Sequence, residues 1–162
     1  MAPCARCAHC SACSGTRRSP GAGSGAGLIP APGLADLKTL ADRTVEAGVR
    51  VDLDIQGDRP PLPAGLDLAA YRVIQEAITN VIKHAATDRC RVAVGYEDQS
   101  LNLEITDNGI GAGRSTPGPG TGHGITGMRE RAGMYGGEFS AAPRPGGGFR
   151  VSARFPLTGT AS

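Results

Sequence analysis

The sequence predicts an α+β two-layer sandwich: a mixed sheet of about five strands with three helices on one face. Three observations lead there. Apolar and polar residues alternate over residues 49–56 and again over 101–106, the period of a half-buried strand. Along residues 67–85 the apolar positions instead recur at helical spacing. The helical patterns fall in clusters between strand patterns, and a chain of 162 residues that is 40% apolar can build one core.

Taken in order, Leu34, Leu37, Leu40, Ala41 and Val45 predict a short amphipathic helix over residues 34–46, stopped by Gly48. Val49, Val51, Leu53 and Ile55 alternate with Arg50, Asp52, Asp54 and Gln56, a strand ending at Gly57. The run Pro60-Pro61-Leu62-Pro63 then forces an extended connection. Ala70, Ile74, Ala77, Ile78, Val81, Ile82 and Ala85 trace the buried face of a long helix over residues 67–85. Residues 91–96 and 101–106 read as two strands of a hairpin joined by the polar link Glu97-Asp98-Gln99-Ser100. After a Gly/Pro-rich stretch, residues 125–135 predict a helix closed by Gly136-Gly137, and residues 138–142 and 149–155 two last strands.

Composition excludes several classes. The net charge of +2 is spread along the chain, so neither nucleic acid nor an anionic membrane is an expected partner. No apolar run approaches the eighteen or so residues of a membrane span, and glycine lacks the triplet period of collagen. The organisation expected is a disordered leader over residues 1–32, a globular domain over 33–157 and a tail over 158–162. The leader mixes Ala, Gly, Ser, Pro and Arg with almost no large apolar side chain to offset the entropy of ordering. It lacks the continuous apolar stretch of a secretory signal. Within it Cys4, Cys7, Cys10 and Cys13 form a Cys-x-x-Cys ladder around His9, a spacing that could ligate zinc or an iron–sulfur cluster. The ladder has neither two knuckles separated by a loop nor the longer last gap followed by proline of a ferredoxin, and a short tandem repeat gives the same spacing. An unstructured leader without metal is therefore expected. Cys90, alone in a strand-like run, reads as a small buried residue.

Three polar features carry the chemistry, each with a bland alternative. Arg72, Glu76, Asn80, Lys83 and His84 fall on one side of the long helix, where they form either a solvated face or a site for a hydrated metal and a polyphosphate. Asparagine is a poor mid-helix residue, which favours the site. Asp107-Asn108-Gly109-Ile110-Gly111 follows an alternating strand. It is either a turn or a carboxylate placed to accept from an exocyclic amine, with glycines that let a flat ring approach the backbone. Gly122-His123-Gly124-Ile125-Thr126-Gly127 matches G-x-G-x-x-G, a pattern that glycine at this frequency produces by chance. A long loop rather than a strand precedes it, which argues against a dinucleotide fold, and no G-K-[ST] is present. What remains is a loop feeding a helix N-terminus suited to phosphate.

In this order, Glu76-x-x-x-Asn80-x-x-Lys83-His84-Ala85, Asp107-x-Gly109-x-Gly111 and Gly122-His123-Gly124-Ile125-x-Gly127-Met128-Arg129-Glu130-Arg131 resemble the ATP-binding domain of sensor histidine kinases. The Asn-x-x-Lys-His-Ala and Gly-Met-Arg-Glu-Arg forms look like the subfamily that works with NarL-type response regulators. The likeness covers about residues 32–157 and implies the ATPase fold shared with type II topoisomerases and some chaperones. It implies ATP and Mg²⁺ as cofactors, with catalytic roles for Glu76 and Asn80: Asn80 coordinating Mg²⁺ and Glu76 close to the metal or its waters. It further implies Lys83 and His84 facing the phosphates, Asp107 binding the adenine amine, and Gly109 and Gly111 shaping the base pocket. Gly122, Gly124 and Gly127, with His123 and Ile125 between them, would hinge and line a lid over the triphosphate.

The departure from the family lies at the second substrate. The subfamily's acceptor histidine is followed by an acidic residue, whereas His9 precedes Cys10, His84 precedes Ala85 and His123 precedes Gly124. The expected partners are therefore a phosphoacceptor histidine domain acting in trans and a response regulator, in the cytoplasm. Two other outcomes stay open: a serine kinase of the anti-sigma-factor type on the same fold, and a non-catalytic module in which ATP only switches a binding surface.

Overall fold

The structure, a computed structural model, describes residues 31–109 and 121–157, without the side chains of residues 121 and 122. The cysteine ladder, Gly111, most of the Gly/Pro-rich loop and the tail lie outside the described residues. The first helix, α1 (Leu37–Glu46), is preceded by a separate 3₁₀ turn, Leu34–Asp36, where one helix was expected. Side chains account for the tight turn. Asp36 Oδ2 accepts the Gly33 N–H at 2.9 Å and Asp67 Oδ1 accepts the Leu34 N–H at 3.1 Å, so these donors are satisfied without a preceding helical turn.

Strand β1 (Arg50–Gln56) pairs in parallel with β2 (Arg89–Glu97). A parallel pair needs a long crossover, and α2 (Ala64–Asn80) supplies it. This helix starts directly after Pro63, three residues before the expected Asp67. Proline is tolerated there because the first helical N–H groups have no intrahelical partner in any case. After Asn80 the helix widens into a π turn, Val81–Ala85, which ends at Ala86 in the left-handed region, φ 49°. The wider turn corrects one expectation. Each residue advances fewer degrees about the axis, so Val81 and Ala85 stay buried while Ile82, expected on the buried face, is 38% exposed.

Strands β2 and β3 (Ser100–Asp107) form an antiparallel hairpin whose Glu97–Ser100 pair leaves only Asp98-Gln99 in the loop, tighter than the four-residue link expected. Helix α3 (Thr121–Gly133) begins four residues before the expected Ile125, and β4 (Glu138–Pro143) and β5 (Phe149–Pro156) complete the sheet. The sheet order is β1-β2-β3-β5-β4, mixed as expected. Its inner face carries Val92, Val94, Leu101, Leu103, Ile105, Val151, Ala153 and Phe155, all buried under Val73, Ile74, Ala77 and Ile78 of α2 and Met128 and Ala132 of α3. At about 1.5–3 kcal/mol for each large apolar side chain buried, this layer fixes which face of every strand turns inward. The outer sheet face stays polar, with ion pairs Arg91–Asp54 at 2.8 Å and Arg150–Glu104.

Cys90 sits in the inner layer, 2% exposed as expected. Burial, together with the charges of Asp107 and Asp52, pushes its thiol up to about 12. Below the unfolded value of 9.0 the thiol is protonated in both states; between there and about 12 the unfolded chain loses the proton first. Folding stability is therefore expected to fall with rising pH across that window in wild type and less steeply in Cys90→Ala. Mass-spectrometric mapping at pH 8 should find Cys90 alkylated only after denaturation. Alkylation of the native protein at this position would contradict the burial.

Candidate nucleotide site

Helix α2 presents Glu76 and Asn80 one turn apart on a half-buried stripe, next to the fully buried Ala77. Opposite them stands α3, and the residue that meets them is Gly124. A Cβ placed on Gly124 would lie 2.5 Å from Glu76 Oε1 and 3.5 Å from the Asn80 side-chain nitrogen. Glycine at this position lets the backbone of α3 close directly onto the carboxylate and the amide. The helix carrying it has low intrinsic stability, since each interior glycine costs about 1 kcal/mol relative to alanine. Tertiary contacts hold it: Met128 and Ala132 are fully buried, and the Arg129 guanidinium lies 5.9 Å from the Phe139 ring centre.

The second half of the site is built where β3 ends. Asp107 is 5% exposed, and its Oδ1 accepts the Gly109 N–H at 2.8 Å, which closes a small turn; among the described residues Oδ2 accepts no hydrogen bond. Gly109 in turn lies against the Ala85 carbonyl, so closely that a Cβ would overlap it. The π turn at the end of α2 and the loop after β3 are thus in direct backbone contact, which ties the Asn80 end of the helix to Asp107. Gly148, at φ +84°, closes on the Asp107 carbonyl from the other side with no room for a side chain.

Lys83 and His84 lie in the π turn itself, both exposed, and neither joins an ion pair among the described residues. Their charge and hydrogen-bonding groups face solvent beside the junction of Ala85 with Gly109. His123 is exposed on the first turn of α3, Ile125 is half-buried at the margin of the core, and Gly127 stands 3.2 Å, measured from an added Cβ, from Arg131 Nη1. Gly122 and Gly124, expected in a loop before the helix, lie with Gly127 inside α3 as it starts at Thr121. Arg72, expected on the same stripe as Glu76, bonds Gln75 Oε1 at 2.7 Å and lines one groove with Glu76, Arg131 and Tyr135.

Over residues 65–159 the chain matches the family of histidine kinase-, DNA gyrase B- and HSP90-like ATPases. The chain belongs to this ATPase family. Relatives include the sensor histidine kinase YxjM of Bacillus subtilis, 32% identical over 130 residues, spanning 79% of this chain and 31% of the relative. The signal transduction histidine-protein kinase/phosphatase DegS of Brevibacillus brevis is 30% identical over 132 residues, 82% of this chain and 33% of that protein. The ATPase chain thus spans about a third of the length of these relatives. The solved histidine kinase domain of the blue-light activated histidine kinase EL346 of Erythrobacter litoralis shares the fold, with a TM-score of 0.57 at 22% identity over 75% of this chain and 62% of that one. As a member of the family the chain is an ATP-binding domain, and the α+β sandwich expected from periodicity is the family's ATPase fold.

Two residues packed against Asp107 in the candidate site escaped the sequence reading. Arg144 Nη1 donates to the Asp107 carbonyl at 3.2 Å and to Asn108 Oδ1 at 2.8 Å, and Gly148 packs on the same peptide. The only signal was the triple glycine Gly146-Gly147-Gly148 ahead of the last strand. All three have positive φ, which marks a backbone path closed to other residues.

Proposed function

We propose that the chain is the catalytic domain of a two-component sensor histidine kinase. In this reading it binds Mg-ATP and transfers the γ-phosphoryl group to a histidine supplied by another domain or chain. The observation that carries the reading is the packing of Gly124 against Glu76 and Asn80, which sets a carboxylate and a side-chain amide in one cleft between two helices. The names of the relatives support the reaction, and the Gly-Met-Arg-Glu-Arg segment supports a NarL-type response regulator as the onward partner.

Each residue then has a physical task. Asp107 Oδ2 accepts the adenine amine, while Gly109 and the Ala85 carbonyl wall the base pocket. Lys83 and His84 lie beside the polyphosphate. Among the described residues no three acidic, histidine or cysteine side chains gather as a metal site. Asn80 and Glu76 are nonetheless hard oxygen donors, and Mg²⁺ commonly takes one or two protein oxygens with the rest from phosphates and water, so this pair fits it. When bound, Mg²⁺ neutralises phosphate charge. In the transfer the acceptor imidazole nitrogen forms a P–N bond as the bond from the γ-phosphorus to the bridging oxygen breaks and ADP leaves. The chain's contribution is positioning and charge compensation, the main demands of phosphoryl transfer. Residues 33–157 would form the working domain, in the cytoplasm; among the described residues no helix is long and apolar enough to cross a membrane.

The test combines the purified chain with γ-labelled Mg-ATP and an acceptor domain from a NarL-type kinase. Acid-labile, alkali-stable label on the acceptor is the expected result, and acid-stable phosphoserine or no transfer would sink the assignment. Asn80→Asp places a second negative charge beside the triphosphate and should weaken Mg-ATP affinity about tenfold or more by calorimetry. Unchanged affinity would remove Asn80 from the site.

A further inference from the structure

We infer that Arg144, on the hairpin between β4 and β5, is a positioning residue that aims the Asp107 carboxylate and so sets selectivity for a base bearing an exocyclic amine. The inference rests on the proposed role of Asp107 in adenine recognition. Arg144 is 37 residues from Asp107 in sequence, yet its Nη1 donates to the Asp107 carbonyl at 3.2 Å and to Asn108 Oδ1 at 2.8 Å.

The tie is needed because of where the ladders end. On its β5 side β3 is paired only as far as Thr106–Arg150, one residue short of Asp107, and the next residue of β5, Phe149, keeps only its β4 partner, Pro143. Asp107 is thus held by β2 on one flank through Cys90 and lacks a strand partner on the other. Its peptide is the point at which the chain leaves the sheet, and a rotation there would swing the carboxylate. Arg144 supplies the missing contact from the hairpin, whose own geometry is closed by Arg144 N–H to the Gly148 carbonyl at 3.0 Å and Gly147 N–H to the Arg144 carbonyl at 3.1 Å. Gly148 adds a backbone stop against the same carbonyl. The carboxylate is then fixed from two sides: Gly109 N–H on Oδ1 sets its rotation, and Arg144 on the main chain sets its origin. Arg144 touches neither carboxylate oxygen, so it acts through Asp107 and not on the base.

The experiment compares wild type, Arg144→Met, Arg144→Lys and Asp107→Asn for binding of ATP and ITP, whose base carries a carbonyl in place of the amine, together with thermal midpoints. Arg144→Met is expected to weaken ATP roughly tenfold while leaving ITP affinity nearly unchanged, so the ATP-to-ITP preference collapses. Arg144→Lys, which keeps a charged donor, should recover most of that preference. A purely structural role would lower the midpoint and weaken both nucleotides alike, and that outcome overturns the proposal. So does an unchanged preference in Arg144→Met when Asp107→Asn has lost it. If Asp107→Asn itself keeps the full preference, the adenine reading of Asp107 fails first and the role of Arg144 falls with it.

Discussion

Replacing Asp107 by asparagine is expected to raise the dissociation constant for ATP by about 10- to 100-fold while the chain still unfolds in one cooperative transition. The substitution preserves shape and removes one acceptor. In wild type Oδ1 is committed to the Gly109 N–H at 2.8 Å, and Oδ2, which accepts no hydrogen bond among the described residues, is the oxygen assigned to the base. A carboxylate serves two donors, but a primary amide has one acceptor oxygen and presents N–H₂ on the other side. If the asparagine oxygen stays on Gly109, its N–H₂ confronts the amine of adenine. If it flips, the buried Gly109 N–H is left unpaired. Either arrangement costs about 1–3 kcal/mol, a span that contains the roughly 1.4–2.8 kcal/mol of a 10- to 100-fold loss in affinity. Calorimetric titration with ATP and ITP checks it, and equal ATP affinity in both proteins would show that Asp107 does no more than close its turn.

Much of this site was legible in the chain order, and the reason is local. Glu76 and Asn80 lie on one helical stripe, and a period of 3.6 puts them together in any helix. Asp107 stands where strand alternation ceases, so its place at the end of β3 followed from the pattern alone. The errors came where a local rule met a tertiary one. Ile82 obeys the apolar period of α2, but the π turn, which brings Ala85 against Gly109, rotates it into solvent. Helix α3 starts at Thr121 despite its glycines because packing of Met128 and Ala132 outweighs their poor propensity. Arg144 was out of reach altogether. Its contact with Asp107 depends on β5 inserting beside β3 and leaving β4 at the edge, an order that periodicity does not encode.

Gly124→Ala should separate folding from function more cleanly than any other change in the ATPase domain. Alanine favours a helix over glycine by about 1 kcal/mol, so propensity alone would stabilise α3. The added methyl, however, falls 2.5 Å from Glu76 Oε1, too close for the carboxylate to stay. Because the obstructed atom is the free end of a flexible side chain and not backbone, Glu76 can swing aside at little cost to folding, and the thermal midpoint should hold or rise slightly. Function has no such tolerance. Displacing a positioning group by about 1 Å can cost on the order of 100-fold in a phosphoryl-transfer step, whereas ATP affinity, anchored at Asp107, should change far less. The control is Gly133→Ala at the other end of the same helix, where an added Cβ meets nothing within 4 Å. As the last residue of α3 it offers a smaller gain in propensity of the same sign, and it should leave transfer intact. Transfer rates and midpoints measured together decide the matter: a fully active Gly124→Ala protein would mean that the Glu76 carboxylate can move without consequence, and Glu76 would then have no part in catalysis.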